Sequence, residues 1–149
     1  MLKLCDCGQT MKLELRRLVY KRRTFISHVP VYACQHCPTY ELMPLVKPDL
    51  LDYLNSLDGD KHQTRISFAD IYEPVSILQD VLASYSGSIE EFQRCYKEAF
   101  EDRVNMLLDL YRFAKASNDT AWMDEIKARL EKVNAFLQLK MESSDFCAS

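Results

Sequence analysis

Glycine is nearly absent: Gly8, Gly59 and Gly87 are the three in 149 residues. No glycine-rich loop is available to cradle a phosphate, which removes P-loop and dinucleotide-binding chemistry. Proline is scarce too, and four of the five prolines precede residue 50. Breaks in regular structure are therefore concentrated at the front, and the back reads as long uninterrupted helix. No run of about 18 apolar residues occurs, so no segment is expected to span a membrane. The opening Met1-Leu2-Lys3-Leu4-Cys5-Asp6 lacks the apolar core of a signal peptide. A cytoplasmic, reducing location is the expectation. There, cysteines at short spacing serve metals or redox chemistry more than a disulfide framework.

What is present is enough apolar residue, 48%, to build a core. The net charge of −3 hides a division. Residues 1–48 carry eight Lys/Arg against three acids, whereas residues 49–149 carry eleven against nineteen. A basic front and an acidic back can attract each other or serve different partners.

Four of the six cysteines fall in two short-spaced pairs, Cys5-Asp6-Cys7 and Cys34-Gln35-His36-Cys37. Thiolates are soft ligands able to close a tetrahedron around zinc, and a site closed by four sulfurs is structural. Cys34 and Cys37 have the usual knuckle spacing, and Gly8 permits a backbone turn beneath the metal. Cys5-x-Cys7 is one residue shorter than the usual pair, which makes His28 and His36 the substitute ligands should one thiol be spare. Four reduced cysteines, two buried as small hydrophobes, are the plain alternative. Ligand type alone does not separate zinc from iron.

Between the pairs, Met11, Leu13 and Leu15 alternate with Lys12, Glu14 and Arg16, the pattern of a half-buried strand. Lys21-Arg22-Arg23 is a polar hairpin tip whose turn type no Gly or Asn specifies. Thr24 to Cys34 is rich in β-branched and aromatic residues, and Pro30 requires that this strand bend, bulge or lie at an edge there. The layout is a zinc ribbon.

Cys-x-Cys-Gly followed by Phe25-Ile26-Ser27-His28-Val29-Pro30-Val31-Tyr32-Ala33-Cys34-Gln35-His36-Cys37 resembles the YgiT-type zinc finger, the ribbon also found in MqsA-like antitoxins. The likeness covers about the first 57 residues. The chain departs from the family pattern in its shortened first pair and in Pro38, where glycine is usual. The resemblance implies a zinc ion held by Cys5, Cys7, Cys34 and Cys37, and a helix soon after, which Leu50 to Leu57 would supply.

The rest reads as helical. Pro48 opens a helix with Leu50, Leu51, Tyr53, Leu54 and Leu57 at helical spacing, stopped by Asp58-Gly59-Asp60. Residues 59–73 read as a linker or surface segment, with weak strand-like alternation at Ile66 and Phe68 and a lone, solvated His62. A second helix opens at Pro74 with the stripe Val75, Leu78, Val81, Leu82 and Tyr85. Ser88-Ile89-Glu90-Glu91 is a capping box for a long helix to about Ala116. It is expected to bury Ile89, Phe92, Tyr96, Ala99, Phe100, Leu107, Leu110, Tyr111 and Ala114. Ser117 to Thr120 turns the chain into a last helix through Trp122, Ile126, Leu130, Val133, Leu137 and Met141. Residues 142–149 read as a frayed tail, Cys95 as helix-face filler and Cys147 as exposed and incidental.

The expected architecture is α+β: a zinc-ribbon module over 1–58, then a helical domain over 74–141 forming a hairpin or three-helix bundle. No catalytic signature appears, and a zinc closed by four thiolates leaves no position for substrate. The expected protein is therefore a non-enzymatic regulator or adaptor with no small-molecule substrate and no membrane. Around Val104, Leu108, Tyr111 and Phe113 apolar residues occupy more arc than one partner helix covers, which suggests a protein partner or self-association. The alternative is nucleic-acid binding through Arg16, Arg17, Lys21, Arg22 and Arg23. A helix-turn-helix near Gly87 is rejected, because the following helix opens with Glu90 and Glu91, which phosphate repels.

Overall fold

A computed structural model of the chain describes residues 2–57, 63–85 and 87–139, without the side chains of Leu2, Lys3 and Ile89. Asp58-Gly59-Asp60, His62, Ser86, Met141, Cys147 and the 142–149 tail lie outside the described residues. The fold is α+β, with strands first and helices after.

Four strands, β1 (Leu2–Leu4), β2 (Thr10–Tyr20), β3 (Thr24–Cys34) and β4 (Tyr40–Leu42), run antiparallel in chain order. Helix α1 (Lys47–Ser56) follows, with proline in its first turn as expected and Leu50 and Leu54 buried. The segment read as a linker or surface stretch supplies two elements instead: β5 (Thr64–Ser67) and the short α2 (Phe68–Ile71). Strand β5 adds in parallel to the Thr24–Ser27 half of β3, while β4 pairs with the Val31–Ala33 half. The parallel partner gives residues 64–67 the backbone bonds that the weak alternation at Ile66 only hints at. Phe68, almost wholly buried, then anchors the turn against Tyr72, with ring centroids 5.1 Å apart.

Pro30 behaves as its chemistry demands. The two strands lose register between Arg16 and Leu18, so that Ser27 and His28 bulge opposite Arg17, with His28 at φ +60°. Pro30 itself pairs with Leu15, and its carbonyl accepts from the Met43 amide at 3.1 Å, between the stretches that β4 and β5 cover. The missing N–H thus interrupts no ladder. The hairpin tip uses Lys21 and Arg22, both left-handed at φ +50° and +59°, closed by the Arg23 amide on the Tyr20 carbonyl at 3.2 Å. That is the backbone of a type I′ turn, which matches strand twist but disfavours residues with a Cβ by about 1 kcal/mol each.

Helix α3 (Glu73–Ser84) buries Val75, Leu78 and Val81 of its expected stripe, together with Ile77. Helix α4 (Ile89–Ala116) is capped as its box requires, with Ser88 Oγ accepting from the Glu91 amide at 3.1 Å. Helix α5 (Thr120–Leu137) is capped by Asp119, whose Oδ1 accepts from the Trp122 amide at 3.0 Å. The three pack together. Tyr85 at the end of α3 meets Phe92 at the start of α4, while Glu73 at the head of α3 bonds Arg103. Helix α3 therefore lies antiparallel along residues 92–103 of α4. Phe136, outside the expected stripe, is the keystone of α5: it stacks on Phe100 at 5.8 Å, and its carbonyl accepts the Tyr96 hydroxyl at 2.7 Å. Buried side chains form one continuous cluster from Cys5 through Val31, Leu50 and Leu78 to Phe136.

Candidate metal centre

The loop after β1 and the end of β3 carry the two cysteine pairs. β1 pairs with the start of β2, and Met11 of β2 lies opposite Cys34, so the strand register alone draws both loops to one corner. The first loop is a tight turn: the Cys5 amide bonds the Gln9 carbonyl at 2.8 Å and the Gly8 amide bonds the Cys5 carbonyl at 2.9 Å. Gly8 sits at φ +89°, the left-handed backbone that a side chain would strain. The second loop is closed by the Cys34 amide on the Thr39 carbonyl at 2.9 Å.

The four Sγ atoms converge. Cys5 and Cys37 are 3.6 Å apart, Cys7 and Cys34 3.5 Å, and Cys7 and Cys37 3.8 Å, with all four within 4.8 Å of one another. A disulfide needs about 2.05 Å, and these cysteines are free. The one-residue shortening of the first pair leaves no thiol behind, since both Cys5 and Cys7 join the cluster. A group of four soft thiol ligands in one corner could hold a metal ion.

Backbone polarity prepares the second pair for a cation. Thr39, through its hydroxyl 3.2 Å from Sγ and through its amide, favours the Cys37 thiolate and lowers its pKa to about 6. The amides of Cys37 and His36, each 3.4 Å from the Cys34 sulfur, lower that thiol as well. In the first pair, the amide of Cys7 favours the Cys5 thiolate, but burial and the neighbouring thiols outweigh it and push Cys5 up to about 12. For Cys7 the Gln9 amide is likewise overcome by the bond to Cys34 and by burial, and the pKa rises. The second pair is therefore shifted toward the thiolate and the first toward the thiol, and a metal would hold all four deprotonated.

Neither substitute histidine is a ligand in this arrangement. His36 is exposed and contributes its backbone amide to Cys34. The His28 ring is clamped elsewhere, with Nδ1 2.7 Å from Ser67 Oγ and Nε2 3.2 Å from Gln79 Nε2. Both ring nitrogens are engaged by side chains from other elements. His28 thus ties the β3 bulge to β5 and α3. Its φ of +60° is the one feature that could have flagged this role, and it is invisible in sequence.

The basic residues do not form one face. Arg16 and Arg17 follow each other on β2 and diverge. Arg16 bonds Glu14 at 3.0 Å and lies over the Tyr40 ring, while Arg17 lines a groove with Arg65. Arg65, unremarked in the sequence, comes from β5. Lys21, Arg22 and Arg23 are exposed at the tip.

Of the four expected contact residues, Phe113 is 67% exposed and Leu108 41%, whereas Val104 and Tyr111 are half-buried, Tyr111 beneath the Lys127 ammonium at 5.7 Å. Met106, 41% exposed, joins the first two. Among the described residues no helix is long and apolar enough to cross a membrane.

No family model, no curated protein and no solved structure matches the chain. The site is read from its own chemistry: a four-cysteine corner, able to hold a metal ion, on an α+β protein.

Proposed function

We propose that this protein is a non-enzymatic zinc-dependent adaptor or regulator, with the metal in a structural role and the helical part capturing a protein partner. The convergence of the four sulfurs carries the reading. Zinc–sulfur bonds of about 2.3 Å place tetrahedral sulfurs about 3.8 Å apart; three of the six separations run from 3.5 to 3.8 Å, and all lie within 4.8 Å. Four thiolates fill the coordination sphere, which leaves no position for water or substrate and favours structure over catalysis. The resemblance to YgiT-type zinc fingers supports the same ion in Cys5, Cys7, Cys34 and Cys37.

The partner surface follows from helix lengths. Helix α4 has 28 residues and α3 has 12, roughly 42 and 18 Å at 1.5 Å per residue. With Glu73 at the level of Arg103, residues 104–116 extend beyond α3 as an arm shared with the first half of α5. Met106, Leu108 and Phe113 are exposed on that arm, and large apolar side chains of this kind supply contact area to a partner.

Elemental analysis of protein purified without added metal should return one zinc per chain. A metal-free, fully folded protein removes the metal half of the proposal. Leu108→Arg together with Phe113→Ser should abolish self-association or partner capture while circular dichroism stays helical. Association equal to that of the unmodified protein refutes the arm as the contact surface.

A further inference from the structure

We infer that the groove between the β2–β3 hairpin end and β5 is a binding surface for single-stranded nucleic acid, with Arg17, Arg65 and the tip basic residues on phosphates and the Arg65–Phe25 stack under a base. The groove has a volume of about 470 Å³ and is lined by Arg17, Phe25, Ser27, Arg65, Ile66, Ser67 and Asp70, so that two guanidiniums face one carboxylate. Strand pairing assembles it. Phe25 lies opposite Val19 on one side and Arg65 on the other, and the Arg65 guanidinium sits 4.9 Å above the Phe25 ring.

Three observations favour this ligand. First, Arg17 and Arg65 reach one groove from strands 48 residues apart in sequence, and both are exposed. Second, the tip continues the charge. Arg23 accepts the Thr64 amide on its carbonyl at 2.9 Å, which holds Arg23 two residues along the sheet from Phe25, with Arg22 and Lys21 following it in the turn. Third, the tip keeps two basic residues in a left-handed turn that Asn-Gly would form without strain, so local stability is sacrificed to place charge there. A guanidinium stacked on an aromatic ring presents a flat cationic plane, and unpaired bases stack on such platforms whereas paired ones cannot. Arg16, bonded to Glu14 and turned to Tyr40, is not part of this surface.

The test is fluorescence anisotropy of the full chain with a labelled 20-nucleotide oligothymidine and with a 20-base-pair duplex, from 50 to 300 mM salt. With about five phosphates neutralised, the single-strand slope should be near −3.5, roughly a tenfold loss per doubling of salt. Arg17→Gln with Arg65→Gln should flatten that slope by about 1.4 and weaken binding at least tenfold. Arg94→Gln with Lys97→Gln, an equal charge loss on α4, should do neither. Lys21→Asn with Arg22→Gly should weaken binding while raising the hairpin's resistance to unfolding, which a merely structural turn would not combine; this pair also serves if the groove variant misfolds. Absence of oligothymidine binding at 50 mM salt, equal loss in the α4 control, or tighter binding of the duplex each overturns the inference.

Discussion

Glu73 is a carboxylate on which three helices meet, and its replacement by alanine should cost the protein about 2 kcal/mol. It accepts one bond from Arg103 Nη1 at 2.7 Å and a two-pronged pair from Arg129, through Nη2 and Nε, both at 2.8 Å. A solvent-exposed ion pair is worth about 0–1 kcal/mol, and breaking a fully buried one costs about 3–5 kcal/mol. The side chains of Glu73, Arg103 and Arg129 are 17, 28 and 34% exposed, so water screens part of the interaction and the cost falls between those limits. The loss includes two guanidiniums left facing each other. For a chain of this length it corresponds to a fall in Tm of roughly 4–8 °C.

Its pH dependence is a second signature. Burial works against the charge on Glu73, but Arg129 and Arg103 more than offset it and hold the carboxyl below its ordinary value. A group whose folded pKa is depressed stabilises the fold above its unfolded pKa, here about 4.3, and loses that contribution as pH falls through the folded value. The unmodified protein and Glu73→Ala should therefore differ most at neutral pH and converge in acid. Urea and thermal unfolding at pH 7 and pH 3, with Arg129→Ala added to complete a double-mutant cycle, measure both. A change below about 0.5 kcal/mol at pH 7, the ordinary scale of a surface substitution, or a difference that grows in acid, refutes the clamp.

Two predictions concern the cysteine corner. Cys34→Ser should weaken metal binding in a chelator competition by more than about 100-fold, the upper end of what losing an outer-shell partner does; metal held as tightly as by the unmodified protein contradicts the ligand set. Because Cys5 is a thiol at neutral pH, metal uptake must expel protons, and affinity should rise about tenfold per pH unit for each proton released between pH 6.5 and 8.5. Isothermal titration in two buffers of different ionisation enthalpy counts the protons, and a count of zero is incompatible with this site.

The parts of this protein that local chemistry dictates are legible in its sequence. Ser88 and Asp119 announce their caps, Pro48 and Pro74 open helices, and the cysteine spacing points to a metal corner, although it leaves His28 and His36 open as substitutes. What escaped depends on partners distant in the chain. Residues 64–67 become a strand by pairing with the Thr24–Ser27 half of β3, a stretch of its edge that β4 does not cover. Arg65 gains its place beside Arg17 for the same reason. Phe136 lies off the stripe expected for α5, yet two aromatic residues on α4 require it. Arg16 and Arg17 look equivalent in a basic run, but neighbours on a strand point to opposite faces.

The same strand bears on both ends of the molecule. β3 ends at the metal-corner residue Cys34, buries Val31 and Val29 in the middle, and at its bulge sends His28 to Ser67 on β5 and Gln79 on α3. A ribbon that owed its folding to metal alone would collapse on chelation. Here β3 is held along its length by a core that continues through α3 to Phe100 and Phe136, so metal loss should loosen the loops at 5–9 and 34–39 rather than the sheet. The metal would then fix the geometry of one corner, while the helices supply most of the cohesion of the whole. Hydrogen exchange after chelation separates the two: fast exchange confined to the Cys5, Gly8 and Cys34 amides agrees with this division, and exchange spreading to Ile26 and Val29 contradicts it.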